Sequence, residues 1–383
     1  MKKIKLLLPF FSMLFVLVLG TVQLSAQTPA YSCEIRNGSF SAANMFEFDI
    51  YLTQVGSAQF EMAAFNTGIL LNAGFVNGGT IVPSLIGGSE FLASQVPTQV
   101  AYDAGFRCVK LAPQKPPRVY ATGITSGTII SNTTGTKVCR MRLTNSVNFG
   151  ADPLNYSWSM NLQPYHTVVA AFVPNSPNPK VGTIITNSAS QSVSNSLTLY
   201  LEGLYTTGTG NRKAQDSGGD HFAGPVADLV TVKLASATSP YGIVYTANNV
   251  QLYANGKSSF SIPGSLTGSY YIVVKHRNSI ETWSAAPVSF AGGAVSYNFS
   301  TSLSQAFGSN LKAVGGGFYA MFGGDISQDG LVDGTDMASV DNASTAGVVG
   351  YVATDANGDG LVDGSDMALI DNNSTASVAS EKP

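Results

Sequence analysis

The chain has 383 residues, a formal net charge of −3 and only 11% Asp, Glu, Lys and Arg. No basic stripe runs through it, which excludes the electrostatic footprint of a nucleic-acid-binding protein. Gly, Ser, Thr and Asn are abundant, and the acid is concentrated near the C-terminus: ten aspartates lie between Asp325 and Asp371, and no Lys or Arg stands between Lys312 and Lys382.

Residues 1–26 read as a secretory signal peptide. Lys2, Lys3 and Lys5 precede an apolar run from Leu6 to Leu19, and Ser25-Ala26 offers a small-residue cleavage site before Gln27. The run is short for a membrane span and no later one replaces it, so the expectation is a secreted, extracellular or surface-associated protein without membrane insertion. The chain beyond Ala26 is long enough for two β domains and a tail.

Strand signals dominate from there. Phe46 to Leu52 alternates apolar and polar residues strictly, and so does Leu197 to Glu202. Further strands are expected at Gln59–Phe65, Val119–Ile124, Thr128–Ser131, Val226–Leu234, Ser259–Ile262, Tyr270–Lys275 and Val295–Phe299, with Gly, Asn and Pro clusters between them. Cys139, Met141 and Leu143 alternate inward against Arg140 and Arg142. Cys33, Cys108 and Cys139 fit no zinc spacing, and their odd number leaves at least one thiol unpaired. The polar stretch 188–195 reads as a linker. It divides a first sandwich, 27–187, from a smaller second one, 196–318, and Gly315-Gly316-Gly317 reads as a hinge into a tail spanning 319–383. The fold class expected is mainly β: two consecutive β-sandwich domains followed by a small α module.

The tail carries one loop pattern twice. The first copy runs from Asp325 to Asp336, the second from Asp355 to Asp366. Oxygen-bearing side chains fall at positions 1, 3, 5, 9 and 12: Asp325, Ser327, Asp329, Asp333 and Asp336, then Asp355, Asn357, Asp359, Asp363 and Asp366. Position 7, Leu331 or Leu361, contributes a backbone carbonyl, and glycine at position 6, Gly330 or Gly360, permits the sharp turn that wraps one ion. This is the calcium loop of an EF-hand, so two Ca2+ ions are expected. Four carboxylates per loop with no neighbouring base repel one another unless a cation joins them. Secretion suits the metal, because a site with a dissociation constant of roughly 0.1–1 mM stays filled outside the cell.

Both loops end in Asp rather than Glu, and Val314 to Tyr319 is too glycine-rich for an entering helix. Loop plus following helix, duplicated from about Phe322 to Val378, resembles a dockerin. The stretches after the loops, Met337 to Asn342 and Met367 to Asn372, lack the basic residues usual there. The resemblance implies docking to a cohesin-like domain of another secreted protein or of another copy of this chain, with loop positions 10 and 11 at the contact: Gly334, Thr335, Gly364 and Ser365. A calcium clip with no partner is the simpler alternative.

The first domain resembles a cohesin, a nine-stranded jelly roll, in length, strand order and all-β pattern; a generic carbohydrate-binding or adhesion sandwich fits the same pattern. Tyr102, Tyr120, Tyr156, Trp158 and Tyr165 would supply a sugar-stacking platform for polysaccharide, or core. The second domain resembles small prealbumin-like or immunoglobulin-like modules around Gly268 to Lys275. There His276, Arg277, Glu281 and Trp283 line either a docking surface or a solvated loop, with Trp283 closing the core. The sequence carries no Gly-x-Ser-x-Gly elbow, no His-Glu-x-x-His pair and no phosphate-binding glycine loop. Two suitably placed carboxylates would suffice for a glycoside hydrolase, and Asp216 to His221 is the polar cluster to watch.

Overall fold

The computed structural model describes residues 29–111, 127–161, 163, 165–172, 183–185 and 191–383. The signal peptide and the strand expected at Val119–Ile124 lie outside them. The chain is mainly β, with several sheets and a small helical region at its C-terminus.

The first domain is two facing sheets. One has the order β1 (Tyr31–Ala42), β2 (Met45–Gln54), β8 (Thr136–Asn145), β4 (Ile81–Gly87). The other has the order β11 (Thr183–Ile185), β10 (Val168–Phe172), β3 (Glu61–Leu70), β6 (Cys108–Leu111), β5 (Val100–Asp103), with β7 (Thr128–Ile129) and β9 (Ser157–Trp158) also paired to β3. Alternation sets the faces. Phe46, Phe48, Ile50 and Leu52 of β2 enter the core with Cys139, Met141 and Leu143 of β8. On the outer face, Arg140 bridges Glu47 and Asp49, and Arg142 pairs with Glu47. A short helix, α1 (Ala73–Val76), is capped by Asn72 and stacks Phe75 on Phe149. All three cysteines are buried free thiols. Burial raises the pKa of Cys139 to about 12, so it is packed as an apolar group.

The second domain is one larger sheet in the order β21 (Ser279–Trp283), β20 (Ser269–His276), β17 (Val226–Ser236), β18 (Ile243–Tyr253), β19 (Lys257–Ile262), β12 (Val193–Thr198), β23 (Ser296–Asn298), with β22 (Val288–Ser289) beside β20. Three hairpins flank it: β13 (Tyr205–Thr206) with β14 (Gly210–Asn211), β15 (Gln215–Asp216) with β16 (Gly219–Asp220), and β24 (Lys312–Gly315) with β25 (Phe318–Ala320). Trp283 is buried against Tyr271.

Three expectations need correction. Of the segment read as a linker, 188–190 lie outside the described residues and the end of the rest enters the sheet: Val193 to Thr198 pair with Ile262 to Lys257. Its small polar side chains are buried because each finds a partner, Ser194 Oγ on Asn155 Oδ1 and Asn195 Oδ1 on the Val295 N–H, so no apolar period was needed. The alternation at Leu197–Glu202 stays strand only to Thr198; beyond it, Leu201 makes a single bridge to Met321. Finally, Gly315-Gly316-Gly317 is no hinge but the turn of the β24–β25 hairpin, with all three residues at positive φ.

The tail contributes α2 (Gly334–Thr345) and α3 (Gly364–Thr375). Its core gathers Val332, Val340, Val362, Ile370 and Val378 and includes Ile280 from β21. The tail is therefore packed on the second domain by a shared apolar cluster.

Candidate calcium loops and their docking surface

Each loop ends in a capping box. Asp333 caps α2 by accepting from Thr335 N, while Asp336 reaches back to the Asp333 N–H at 3.0 Å. Asp363 and Asp366 repeat this at α3, with Asp366 on the Asp363 N–H at 2.9 Å. The other oxygen of the twelfth residue closes the start of the loop. Asp336 Oδ1 accepts from Ile326 and Ser327 N–H at 2.8 Å each, and Asp366 Oδ1 accepts from Asn357 N–H at 2.9 Å. The shorter Asp is enough because these donors come to it.

The first residues are also closely held. Asp355 accepts from Gly358, Asp359 and Gly360 N–H groups at 2.8, 3.1 and 3.0 Å. Asp325 accepts from Gly330 N–H with Oδ2, and its buried Oδ1 has no hydrogen-bond partner within normal geometry. Gln328, in the same loop, takes a positive φ and donates to Asp325 O. Asp329 and Asp359 each accept from the N–H two residues on, at Leu331 and Leu361.

Among the described residues no group of three or more His, Cys, Asp or Glu side chains is gathered in a metal-holding arrangement. The carboxylates close instead on backbone N–H groups. The chemistry of the set still fits a hard cation: neutral Ser, Asn and carbonyl oxygens complete it, and the bare Asp325 Oδ1 lacks any donor. Burial, reinforced by Asp336, pushes the Asp325 carboxyl up to about 6. Burial likewise pushes Asp355 up to about 6, with Asp366 adding to it and Arg277 opposing it. A divalent ion would relieve both.

The two repeats lock reciprocally. Leu331 bridges Ala379, after α3, and Leu361 bridges Val349, after α2. Thirty residues separate Leu331 from Leu361 and Val349 from Ala379, so each loop pairs with the segment that follows the other helix. Val332 and Val362 lie together in the tail core beneath these bridges.

The halves differ in what lies outside them. The second domain grips the second loop. Arg277 donates to Val352 O at 2.6 Å and Asp355 O at 3.1 Å, and Asn278 donates to Ala353 O and Asp355 O. Arg212 and the Gln215 N–H reach Asn357 O and Gly358 O. Gly203 abuts Ala356 so closely that an added Cβ would lie 2.0 Å from its carbonyl oxygen. In the first loop Ser327 and Asp329 are exposed. Gly334, Thr335, Gly364 and Ser365 are all exposed, on corresponding ends of the two helices.

Behind the second loop lies a buried charge cluster. Asp228 faces His276 Nε2 and Arg277 Nη2 at 3.2 Å each and accepts from the Tyr351 hydroxyl. The Arg277 guanidinium covers the Tyr351 ring, and His221 stacks on its other side at 4.0 Å. His221 is held by Asp216, which also accepts from the Tyr351 N–H. Thus Asp216 and His221, watched as a polar cluster, hold the tail, and the loop around Arg277 is a docking surface for the chain's own tail. His276 itself is buried. Sequence reasoning missed Asp228 and Tyr351, which carry no motif.

Of the five aromatics expected to form a platform, two are buried among the described residues. Tyr156 and Trp158 are core residues, with the Tyr156 hydroxyl shared by Ser192 and Ser261. Tyr102 packs partly against that core, and Tyr120 lies outside the described residues.

No family model matches the chain, and no curated protein matches it. Among solved structures it is similar to two major pilins of Corynebacterium diphtheriae. The full-length pilin SpaD is 9% identical at a TM-score of 0.21, with 71% of this chain and 64% of the pilin covered. The pilin SpaA is 13% identical at a TM-score of 0.18, with 71% and 69% covered. The chain thus spans less than two thirds of SpaD, and likeness at these scores carries no functional argument. Among the described residues no helix is long and apolar enough to cross a membrane, which says nothing of a β-barrel.

Proposed function

We propose that this chain is a secreted, non-catalytic calcium-binding protein whose tail docks to a cohesin-like domain, on another secreted protein or on another copy of itself. The observation that carries the reading is the reciprocal pairing of two near-identical loops, each closed by its twelfth aspartate, with Thr335 and Ser365 exposed at equivalent ends. In this reading Asp325, Ser327, Asp329, Leu331, Asp333 and Asp336 hold one calcium ion, and Asp355, Asn357, Asp359, Leu361, Asp363 and Asp366 the other. The ions would supply positive charge to the buried Asp325 and Asp355 carboxyls, and they set the two helices for docking.

Calorimetric titration of the full chain with calcium tests the first half: two binding events are expected, and none after Asp325→Ala with Asp355→Ala. Sedimentation of the full chain in calcium and in chelator tests self-docking. Calcium-dependent association abolished by Thr335→Arg with Ser365→Arg supports it. A monomer in both conditions directs the tail to another protein, and an absence of calcium binding refutes the reading.

A further inference from the structure

The last helix is joined to the second domain by a contact outside the repeated loops. Glu202 lies beyond β12, Lys312 opens β24 and Asn373 sits in the last turn of α3. Asn373 is fully buried. Its Nδ2 donates to Glu202 Oε2 at 2.6 Å and to Gly323 O at 2.9 Å, which fixes the orientation of the amide. Its Oδ1 accepts from Lys312 Nζ at 3.0 Å. Lys312 Nζ also lies 3.3 Å from Glu202 Oε1 and 5.6 Å from the centroid of the Phe322 ring. The Gly323 N–H donates to Glu202 Oε2 and helps hold the carboxylate in place.

An amine, a primary amide and a carboxylate are therefore in mutual contact. One carboxylate oxygen faces the amine nitrogen and the other faces the amide nitrogen. Such an arrangement supplies proximity for attack and a route for the proton.

We propose that Lys312 and Asn373 join in an intramolecular isopeptide bond, with Glu202 as the proton carrier. Glu202 removes a proton from the Lys312 ammonium. The freed amine attacks Cγ of Asn373, a C–N bond forms, and the carbonyl electron pair moves to Oδ1. The attacking nitrogen loses its second proton as Glu202 delivers one to Nδ2. The Cγ–Nδ2 bond then breaks, the carbonyl re-forms and ammonia leaves. Overall, one ammonium side chain and one carboxamide become one secondary amide and one ammonium ion. No oxidant, nucleotide or metal takes part. The product ties β24 to α3 and so fastens the calcium module covalently to the sheet domain. No atom of the loops takes part in the reaction, so its test and the calcium titration read different events and fail separately.

Trypsin reads the bond directly. In the denatured full chain the enzyme cuts after Arg277 and Lys312, and it does not cut at Lys382, which precedes Pro383. An unmodified chain yields separate peptides 278–312 and 313–383. The expected result is a single peptide 278–383, uncut at Lys312 and lighter by about 17 Da, the mass of ammonia. Locating the loss in this peptide separates it from cyclisation of an N-terminal glutamine elsewhere. Glu202→Gln should restore the two full-mass peptides, and Lys312→Arg should do so while keeping the positive charge. Cleavage at Lys312 with both wild-type peptides at full mass overturns the bond, whether or not the variants fold. A linked peptide persisting undiminished in Glu202→Gln overturns the role of Glu202.

Discussion

Arg277 Nη1 donates to the backbone carbonyl of Asp355 at 3.1 Å, so the residue that opens the second of the repeated loops is held by a side chain of the preceding β domain. Among the described residues no side chain of that domain is hydrogen-bonded to Asp325, whose Oδ1 has no partner. The two loops share a sequence pattern but not an environment, so they should differ in how they meet an ion.

The second loop should bind calcium more tightly than the first. Asn357 offers an amide oxygen at position 3 where Ser327 offers a hydroxyl, and the contacts from Arg277, Asn278 and Arg212 order the loop before the ion arrives. Calorimetry should find the tighter site surviving in Asp336→Ala and lost in Asp366→Ala. The opposite result would refute the ranking.

Ile280 should stabilise the tail from outside it. Its side chain is fully buried in the tail core although it belongs to β21. Ile280→Ala should cost about 2–5 kcal/mol. Denaturant unfolding followed through the α2 and α3 helical signal should register that loss. An unchanged midpoint would mean that the tail folds without the sheet.

Acid should loosen the same interface through Asp228. Burial opposes its charge, but His276, Arg277 and the Tyr351 hydroxyl outweigh burial and hold its carboxyl well below the usual range. The unfolded chain, with an aspartate pKa of about 3.9, then binds more protons than the folded chain just below that pH. The stability from Asp228 is thus complete above pH ~4 and is lost as pH falls toward the folded value. Asp228→Asn should lower stability at neutral pH by about 3–5 kcal/mol and flatten the acid limb below pH ~4. A variant with an unaltered acid limb would show that Asp228 is not the group responsible.

Docking should have two modes. Asp329 to Thr345 and Asp359 to Thr375 differ at only four positions, and Thr335 and Ser365 are exposed alike. Thr335→Arg or Ser365→Arg alone should leave partner affinity nearly intact, because the other orientation still binds, while the double variant should lose it. Affinity lost in one single variant to the level of the double would exclude dual docking.

Local periodicity and spacing made much of this protein legible. Phe46 to Leu52 had to be a strand with one buried face, because alternation admits no other economical burial. Glycine at position 6 between alternating oxygens marks both loops in the sequence itself. Local pattern could not show partners distant in the chain. Ser194 and Asn195 read as linker because their burial rests on Asn155 and Val295. Gly315 to Gly317 read as a hinge because the sequence does not show that Lys312 pairs with Ala320 across them. Likewise Arg277, Asp228 and Tyr351, or Glu202, Lys312 and Asn373, are unremarkable residues far apart in sequence. Each set becomes chemistry only where folding removes water and brings the groups within hydrogen-bond reach, and that was decided by tertiary packing alone.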